Sequence, residues 1–246
     1  MRTTISLLLA LGAFQTAHAG LILSGSDVIG GAGFGAIPRI LTIQATGNGS
    51  TESGCNSWNG SQMVVGPSAC SNAANAGGNE PNPHGFPKFS SPTLGSLGFN
   101  NALQVGIIFD ATEPGNNSGN PLTMDSLILK FYSSTGTLLL SEALDNPPLV
   151  FNQTVVGNGK TDFLFVLDQQ GINDVTSMIF SNPGFGTDHI ALESTMSAVH
   201  GGPESFLAMG SLGHNTTTTA TPEPATFVLI GAGLLGFGSL RRKVVN

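Results

Sequence analysis

The stretch that decides the fold is "DSLILKFYS", residues 125–133. Its apolar residues alternate: Leu127, Leu129 and Phe131 fall on one face of an extended chain, and the residues between them fall on the other. This period of two is typical of a β-strand, whereas an amphipathic helix repeats at a period of 3.6. The stretch therefore predicts a long strand with at least one face in a core.

Similar segments recur on both sides of it. They are "LTIQAT" from Leu41, "LQVGIIFD" from Leu103, "TLLLSE" from Thr137, "TDFLFVLD" from Thr161, "DHIALES" from Asp188 and "SFLAMG" from Ser205. Turn-forming residues separate them, and the 34 glycines of the chain suit many turns. We predict an all-β ectodomain, a β-sandwich or jelly roll. It contains one short helix near 169–179 and an irregular insertion over 47–92.

The first 19 residues have the layout of a secretory signal peptide. Arg2 precedes an apolar stretch that is too short to span a membrane, and the small-x-small triplet 17–19 follows it. Signal peptidase is expected to cleave between Ala19 and Gly20, outside the cytoplasm.

The C-terminus carries a second signal-like pattern. A Thr-rich linker, 216–221, leads to Pro222, Glu223 and Pro224, and the uncharged segment 225–240 follows. At 1.5 Å per residue that segment is about 24 Å long, short of the roughly 30 Å hydrocarbon core. Counting its polar flanks, it can cross a thin membrane, or thin the membrane locally, as a single hydrophobic helix. A buried helix at the end of a globular domain is the alternative, but the polar run before the segment and the cations after it argue against that.

Three cations end the apolar segment: Arg241, Arg242 and Lys243. By the positive-inside rule they lie on the cytoplasmic side and act as a membrane stop.

This tail resembles the PEP-CTERM protein-sorting signal of Gram-negative bacteria. The Pro-Glu-Pro triplet 222–224, the helix "GAGLLGFG" and the terminal arginines match that signal in order. The resemblance implies that the chain is a substrate of exosortase, which reads the triplet. It also implies transient anchoring in the inner membrane, then placement on the outer surface or in the extracellular matrix, in bacteria that make exopolysaccharide and biofilm. It says nothing specific about the domain 20–215.

Charge narrows the range of partners. Between the two signals, residues 20–221 contain 14 acidic side chains and 4 basic ones. Such a surface repels phosphate backbones and anionic lipid, so we do not expect nucleic-acid binding.

Cys55 and Cys70 are the two cysteines of the chain. In an exported protein, a pair 15 positions apart predicts a disulfide, although two free thiols are the alternative. A zinc site would need four ligands, and no histidine lies between the two cysteines.

The sequence offers few catalytic or metal-binding signals. It contains neither a GxSxG elbow nor an HExxH pair, so we assign no catalytic residue and no cofactor. Oxygen ligands for Ca²⁺ are concentrated in "DATEPGNNSGN", at Asp110, Glu113, Asn116, Asn117 and Asn120, but their spacing fits no standard loop and a plain turn is the alternative.

Two functions remain open for the central domain. The first is non-catalytic adhesion or association with exopolysaccharide, for which Trp58 and Tyr132 are candidate binding aromatics. The second is a secreted glycan hydrolase on a jelly-roll scaffold, which would need a pair of carboxyl groups in a cleft.

Overall fold

The computed structural model describes residues 18–24, 38–44, 50–66, 70–71, 90–111, 121–152, 162–199, 204–208 and 210. The predicted linker 216–221 and hydrophobic segment 225–240 lie outside these residues, as does most of the signal peptide. Within the described ranges, none of the helices has the length and apolar character needed to cross a membrane.

Strands dominate the described chain. They are β1 (His18–Leu23), β2 (Arg39–Ile43), β3 (Thr51–Trp58), β4 (Met63–Val65), β5 (Gly106–Asp110), β6 (Pro121–Tyr132), β7 (Leu138–Leu144), β8 (Leu149–Asn152), β9 (Asp162–Leu167), β10 (His189–Ser197) and β11 (Glu204–Ala208). The all-β prediction is confirmed.

The helical elements are short. Helix α1 (Gln169–Val175) continues into a π-helical turn, Thr176–Phe180, and two 3-10 turns span Ala102–Gln104 and Phe185–Thr187. The Asp168 side chain caps the start of α1 by accepting a hydrogen bond of 2.7 Å from the backbone N–H of Gly171. The helix lies where the sequence predicted it, near 169–179.

All the strands join one sheet, in the order β2-β11-β5-β9-β1-β7-β6-β10-β3-β4, with β8 paired to β6. The sheet curls into a half-barrel, so strands far apart in this order approach each other. Asn56 of β3, for example, donates a 2.8 Å hydrogen bond to the carbonyl of Ile40 in β2. Because the pairing is continuous, a two-sheet sandwich or jelly roll is not confirmed.

The core lies on one face of the longest strand pair. Strands β6 and β10 run antiparallel, with Ile190 opposite Phe131 and Leu192 opposite Leu129. These four side chains and Leu127 are fully buried. The alternation in "DSLILKFYS" therefore identified the core face correctly, and each such burial contributes roughly 1.5–3 kcal/mol.

Phenylalanines extend this core toward β5 and β9. Phe109, Phe151, Phe163 and Phe206 form an aromatic cluster with ring centroids 4.5 to 6.1 Å apart. Strand β9 lies inside the sheet between β5 and β1, a position that suits its uninterrupted apolar run.

The segment 47–92 differs from the expected irregular insertion. Residues 51–58 form β3, which pairs with β10 over five positions from Glu193–Cys55 to Ser197–Thr51. The alternation is hidden because β3 buries polar side chains: Glu52 and Asn56 are 2% and 0% exposed. The buried Asn56 side chain is stabilised by hydrogen bonds rather than by apolar packing: its Oδ1 accepts a hydrogen bond from the Leu192 N–H at 2.7 Å.

Candidate functional site

The candidate site is a stacked ring pair at the junction of β3 and β10. The indole of Trp58, the last residue of β3, lies on the imidazole of His189, the first residue of β10. The ring centroids are 3.8 Å apart and the planes differ by 11°. Both side chains are partly exposed, so an aromatic surface faces the solvent.

Hydrogen bonds fix both rings from the side facing the protein. The indole N–H of Trp58 donates to the carbonyl of Ser134 at 3.0 Å. Nδ1 of His189 lies 2.6 Å from the carbonyl of Ser91, so the tautomer with a proton on Nδ1 donates there and leaves Nε2 as an acceptor. The ring pair is therefore preorganised.

Two glycine turns support this arrangement. Gly60 and Gly136 have φ angles of 95° and 88°, in the left-handed region that favours glycine. A Cβ atom on Gly136 would lie 2.5 Å from the Gly60 nitrogen, and one on Gly60 would lie 2.7 Å from the Thr135 carbonyl carbon. The turn after β3 and the turn after β6 thus pack backbone against backbone, which holds Ser134 beneath Trp58.

A buried carboxyl group adjoins the rings. Asp188 is 3% exposed, and its Oδ2 has no hydrogen-bond partner within the described chain. Burial raises the pKa of Asp188, although a backbone hydrogen bond from Ser134 and the charge of His189 oppose the rise. Asp188, the residue before His189, is thus a buried carboxyl group with one unsatisfied oxygen.

The second predicted aromatic is not available to a ligand. Tyr132 is only 8% exposed. Burial, and then the charge of Glu193, raises its pKa to about 12 against the effect of a hydrogen bond with Ser57. The prediction of Tyr132 as a binding aromatic is therefore wrong, because the face of β6 that carries it is covered.

A buried ion pair lies on that same covered face. Nζ of Lys130 lies 2.6 Å from Oε2 of Glu193, and the two side chains are 1% and 0% exposed. Burial lowers the pKa of Lys130, although the hydrogen bond and charge of Glu193 oppose the shift. The same Oε2 accepts a 2.7 Å hydrogen bond from the backbone N–H of Ser71.

The disulfide explains how Ser71 reaches Glu193. Cys55 and Cys70 are bonded, with Cα atoms 5.3 Å apart, and Cys55 lies directly opposite Glu193 in the β3–β10 pairing. The predicted disulfide is confirmed, and it holds residues 70 and 71 against the sheet above the ion pair.

The predicted Ca²⁺ ligands are mostly outside the described residues. Only Asp110 falls within them, at the end of β5 and 6% exposed. Across the described ranges no group of three or more His, Cys, Asp or Glu side chains could hold a metal ion.

The residues predicted for sorting also lie outside the described chain: Pro222, Glu223 and Pro224 in the triplet, and Arg241, Arg242 and Lys243 in the membrane stop. Sequence comparison does reach them, because residues 220–243 match the PEP-CTERM protein-sorting motif. No curated protein and no solved structure matches the chain. The chain therefore carries a PEP-CTERM protein-sorting motif, which implies an exported protein that exosortase processes.

Proposed function

We propose that this chain is a surface protein whose curled-sheet domain binds neutral saccharide chains of the extracellular matrix without cleaving them. The observation that carries the proposal is the Trp58–His189 stack, a preorganised and partly exposed aromatic surface. The sorting motif at 220–243 supports its export.

In the sorting step, the triplet 222–224 is the strand that exosortase reads, since its two prolines hold an extended backbone. The helix 225–240 and the cations 241–243 keep that strand at the inner membrane until processing. Processing then releases the domain to the outer surface or matrix.

An aromatic surface suits a sugar ring. The Trp58 N–H is already used by Ser134, so the exposed part of the ring presents apolar carbon, which matches the C–H face of a pyranose. Nε2 of His189 adds an acceptor for a hydroxyl group. A few polar groups around an apolar surface are the usual composition of a small-molecule site.

Charge favours neutral sugars. With 14 acidic and 4 basic side chains between the signals, the domain repels uronate-rich or phosphorylated polymers. A neutral hexose polymer meets no such repulsion.

The glycan hydrolase remains the alternative. It needs two carboxyl groups about 5–10 Å apart in a cleft. No observation within the described ranges favours it, so it is kept as an outcome of the test below.

The test uses the purified exported protein and exploits Trp58, which is the one tryptophan of the chain. Titration with exopolysaccharide from the producing cells, or with neutral oligosaccharides prepared from it, should shift or quench the fluorescence with a saturable profile. Trp58→Phe removes this signal, so binding to that variant is measured by calorimetry and should weaken at least about tenfold, because indole supplies more contact area than phenyl.

Phe185→Ala is the matched control, since Phe185 is a partly exposed aromatic that pairs with Phe180 rather than with His189. It should bind like the unaltered protein. No saturable change with any neutral glycan would overturn the proposal. Release of reducing ends that depends on Asp188 would favour the hydrolase instead.

A further inference from the structure

Gly20 and Glu142 meet at a buried position in the sheet. Gly20 belongs to β1, which lies between β9 and β7, and Glu142 belongs to β7. A Cβ atom on Gly20 would collide with the Glu142 carboxylate, with its carbon Cδ at 2.9 Å, and would lie 3.2 Å from the Cα of Gly171. A side chain at position 20 would therefore displace the Glu142 carboxylate.

Among the residues that the structure describes, Glu142 is a buried carboxylate without a counter-ion. It is 0% exposed, and neither of its oxygens has a hydrogen-bond partner in the described part of the chain. It faces the core, since it lies opposite the buried Leu129 of β6. The charged groups that act on it are the carboxylates of Asp174 and Asp168 at helix α1, which are also negative.

This environment is unfavourable for an ionised acid. Burial, followed by the charges of Asp174 and Asp168, raises the pKa of Glu142 to about 7. Because the pKa is higher in the folded than in the unfolded chain, Glu142 lowers stability progressively as the pH rises from about 4.5 to about 7. A cation at this position would remove the penalty.

The sequence supplies that cation through processing. The predicted signal-peptide cleavage site is the bond between Ala19 and Gly20. Hydrolysis breaks this C–N bond with one water: Ala19 takes the hydroxyl and becomes the carboxylate of the released peptide. The Gly20 nitrogen takes the remaining hydrogen of the water and becomes an amine, and at neutral pH the proton that the new carboxyl group loses is matched by one that the amine gains, which makes it an α-ammonium group.

We propose that signal-peptide removal creates a buried ion pair between the new α-ammonium group of Gly20 and the carboxylate of Glu142. The inference rests on the export step of the proposed function. It assigns Glu142 as the side chain that pairs with the mature N-terminus.

Reach is not an obstacle. The nitrogen of Gly20 and the Cβ position tested above are substituents of the same Cα, about 2.5 Å apart. The Glu142 carboxylate already contacts that Cβ position, so a small rotation of its side chain brings an oxygen to the nitrogen.

The new terminus is also held in place. The carbonyl of Gly20 accepts a 2.8 Å hydrogen bond from the N–H of Asp168, and the carbonyl of Leu21 accepts one of 2.8 Å from the N–H of Asp145. These bonds do not involve Ala19, so they persist after cleavage. Glu142 is then unpaired within the described part of the precursor and neutralised in the exported chain.

The experiment uses the exported full chain, and its first step is N-terminal sequencing. A start at Gly20 is expected; any other start overturns the ion pair together with the cleavage site, while leaving saccharide binding to its own test.

The second step measures reactivity of the α-amine. The native and the urea-unfolded protein are treated with an acylating reagent at pH 7, and peptide mass spectrometry follows Gly20. We expect acylation at least tenfold slower in the native protein, and we expect Glu142→Gln to abolish most of this protection. The control is Asp125→Asn, which alters a half-buried carboxyl group on a different strand, β6, and should retain the protection. Equal reactivity in the native and unfolded protein would overturn the pair.

A further variant covers the case in which Glu142→Gln does not fold. One alanine is inserted after Ala19, and a mature start with the extra alanine is confirmed by sequencing. The α-ammonium group then lies one residue away from Glu142. The melting temperature of this variant should be lower than that of the unaltered protein. The difference should be larger at pH 8 than at pH 5, because Glu142 is ionised only at the higher pH. An equal difference at both pH values would contradict the pair.

Discussion

Nζ of Lys130 lies 2.6 Å from Oε2 of Glu193 in the buried interior between β6, β10 and β3. Lys130→Met leaves Glu193 ionised and buried without its cation. We expect this change to lower the free energy of unfolding by about 3–5 kcal/mol. Urea unfolding measures the loss. Adding Glu193→Gln should restore much of it, and a double variant as unstable as the single one would show that the pair is not the cause.

The disulfide should support that pair. Labelling of the exported, denatured protein without reductant should find neither Cys55 nor Cys70 free. After reduction the free energy of unfolding should fall by about 3 kcal/mol, as expected for a loop of this length. Quantitative labelling of both thiols before reduction would contradict the account.

Tyr132 gives a spectroscopic measure of the same interior, since it is the one tyrosine of the chain. Its pKa of about 12 in the folded protein lies above the ordinary value of 10.0. The neutral phenol is therefore favoured by folding, and this contribution to stability is lost as the pH rises from about 10 to about 12. Ultraviolet titration, with circular dichroism to follow folding, should show a midpoint well above 10 while the protein stays folded. A folded-state midpoint at 10 would contradict this.

The glycine turns offer a matched pair of substitutions. Gly66 and Gly136 have φ angles of 87° and 88°, so alanine strains the backbone equally at both. A Cβ atom meets nothing within 4 Å at Gly66 but would meet the Gly60 nitrogen at 2.5 Å from Gly136. Gly136→Ala should therefore displace Ser134 from Trp58, change the tryptophan emission and weaken saccharide binding. Gly66→Ala should do neither. Identical spectra for the two variants would show that the turns do not position the ring.

The sequence predicted the strands with apolar alternation or apolar runs, including β6, β9 and β10, and the short helix after Asp168. It missed β3, because Glu52 and Asn56 are polar but buried, and Asn56 is satisfied by hydrogen bonds that no periodicity reveals. It missed β1, because residues 18–19 were assigned only to the signal peptide.

The sequence predicted less of the candidate site. Trp58 stood out because the chain has no second tryptophan, but its partner His189 is distant in sequence and meets it only through the β3–β10 pairing. The prediction of Tyr132 was wrong because the second face of β6 is covered. On that face lies the buried Lys130–Glu193 pair, and residues 70 and 71 are held over Glu193 by a disulfide and a backbone hydrogen bond. Neither interaction leaves a signature in the local pattern of β6.

The membrane stop should act separately from the sorting triplet. Neutral replacement of Arg241, Arg242 and Lys243 removes the electrostatic stop and should loosen retention and orientation of the tail in the inner membrane. Membrane fractionation and protease accessibility measure this. Unchanged retention and orientation would show that the apolar segment is sufficient.

The most direct test of the central claim, that exosortase reads this chain, is intact mass spectrometry of the protein from an exosortase-containing host. The unaltered chain should lose its C-terminal tail and appear outside the inner membrane. Glu223→Ala should leave full-length tail in the inner membrane, because the anchor remains but the recognised strand is altered; Thr219→Ala, in the adjoining linker, should be processed normally. The account would be contradicted if Glu223→Ala and the variant with neutral residues at 241–243 were both processed normally. It would also be contradicted if the unaltered chain kept its tail.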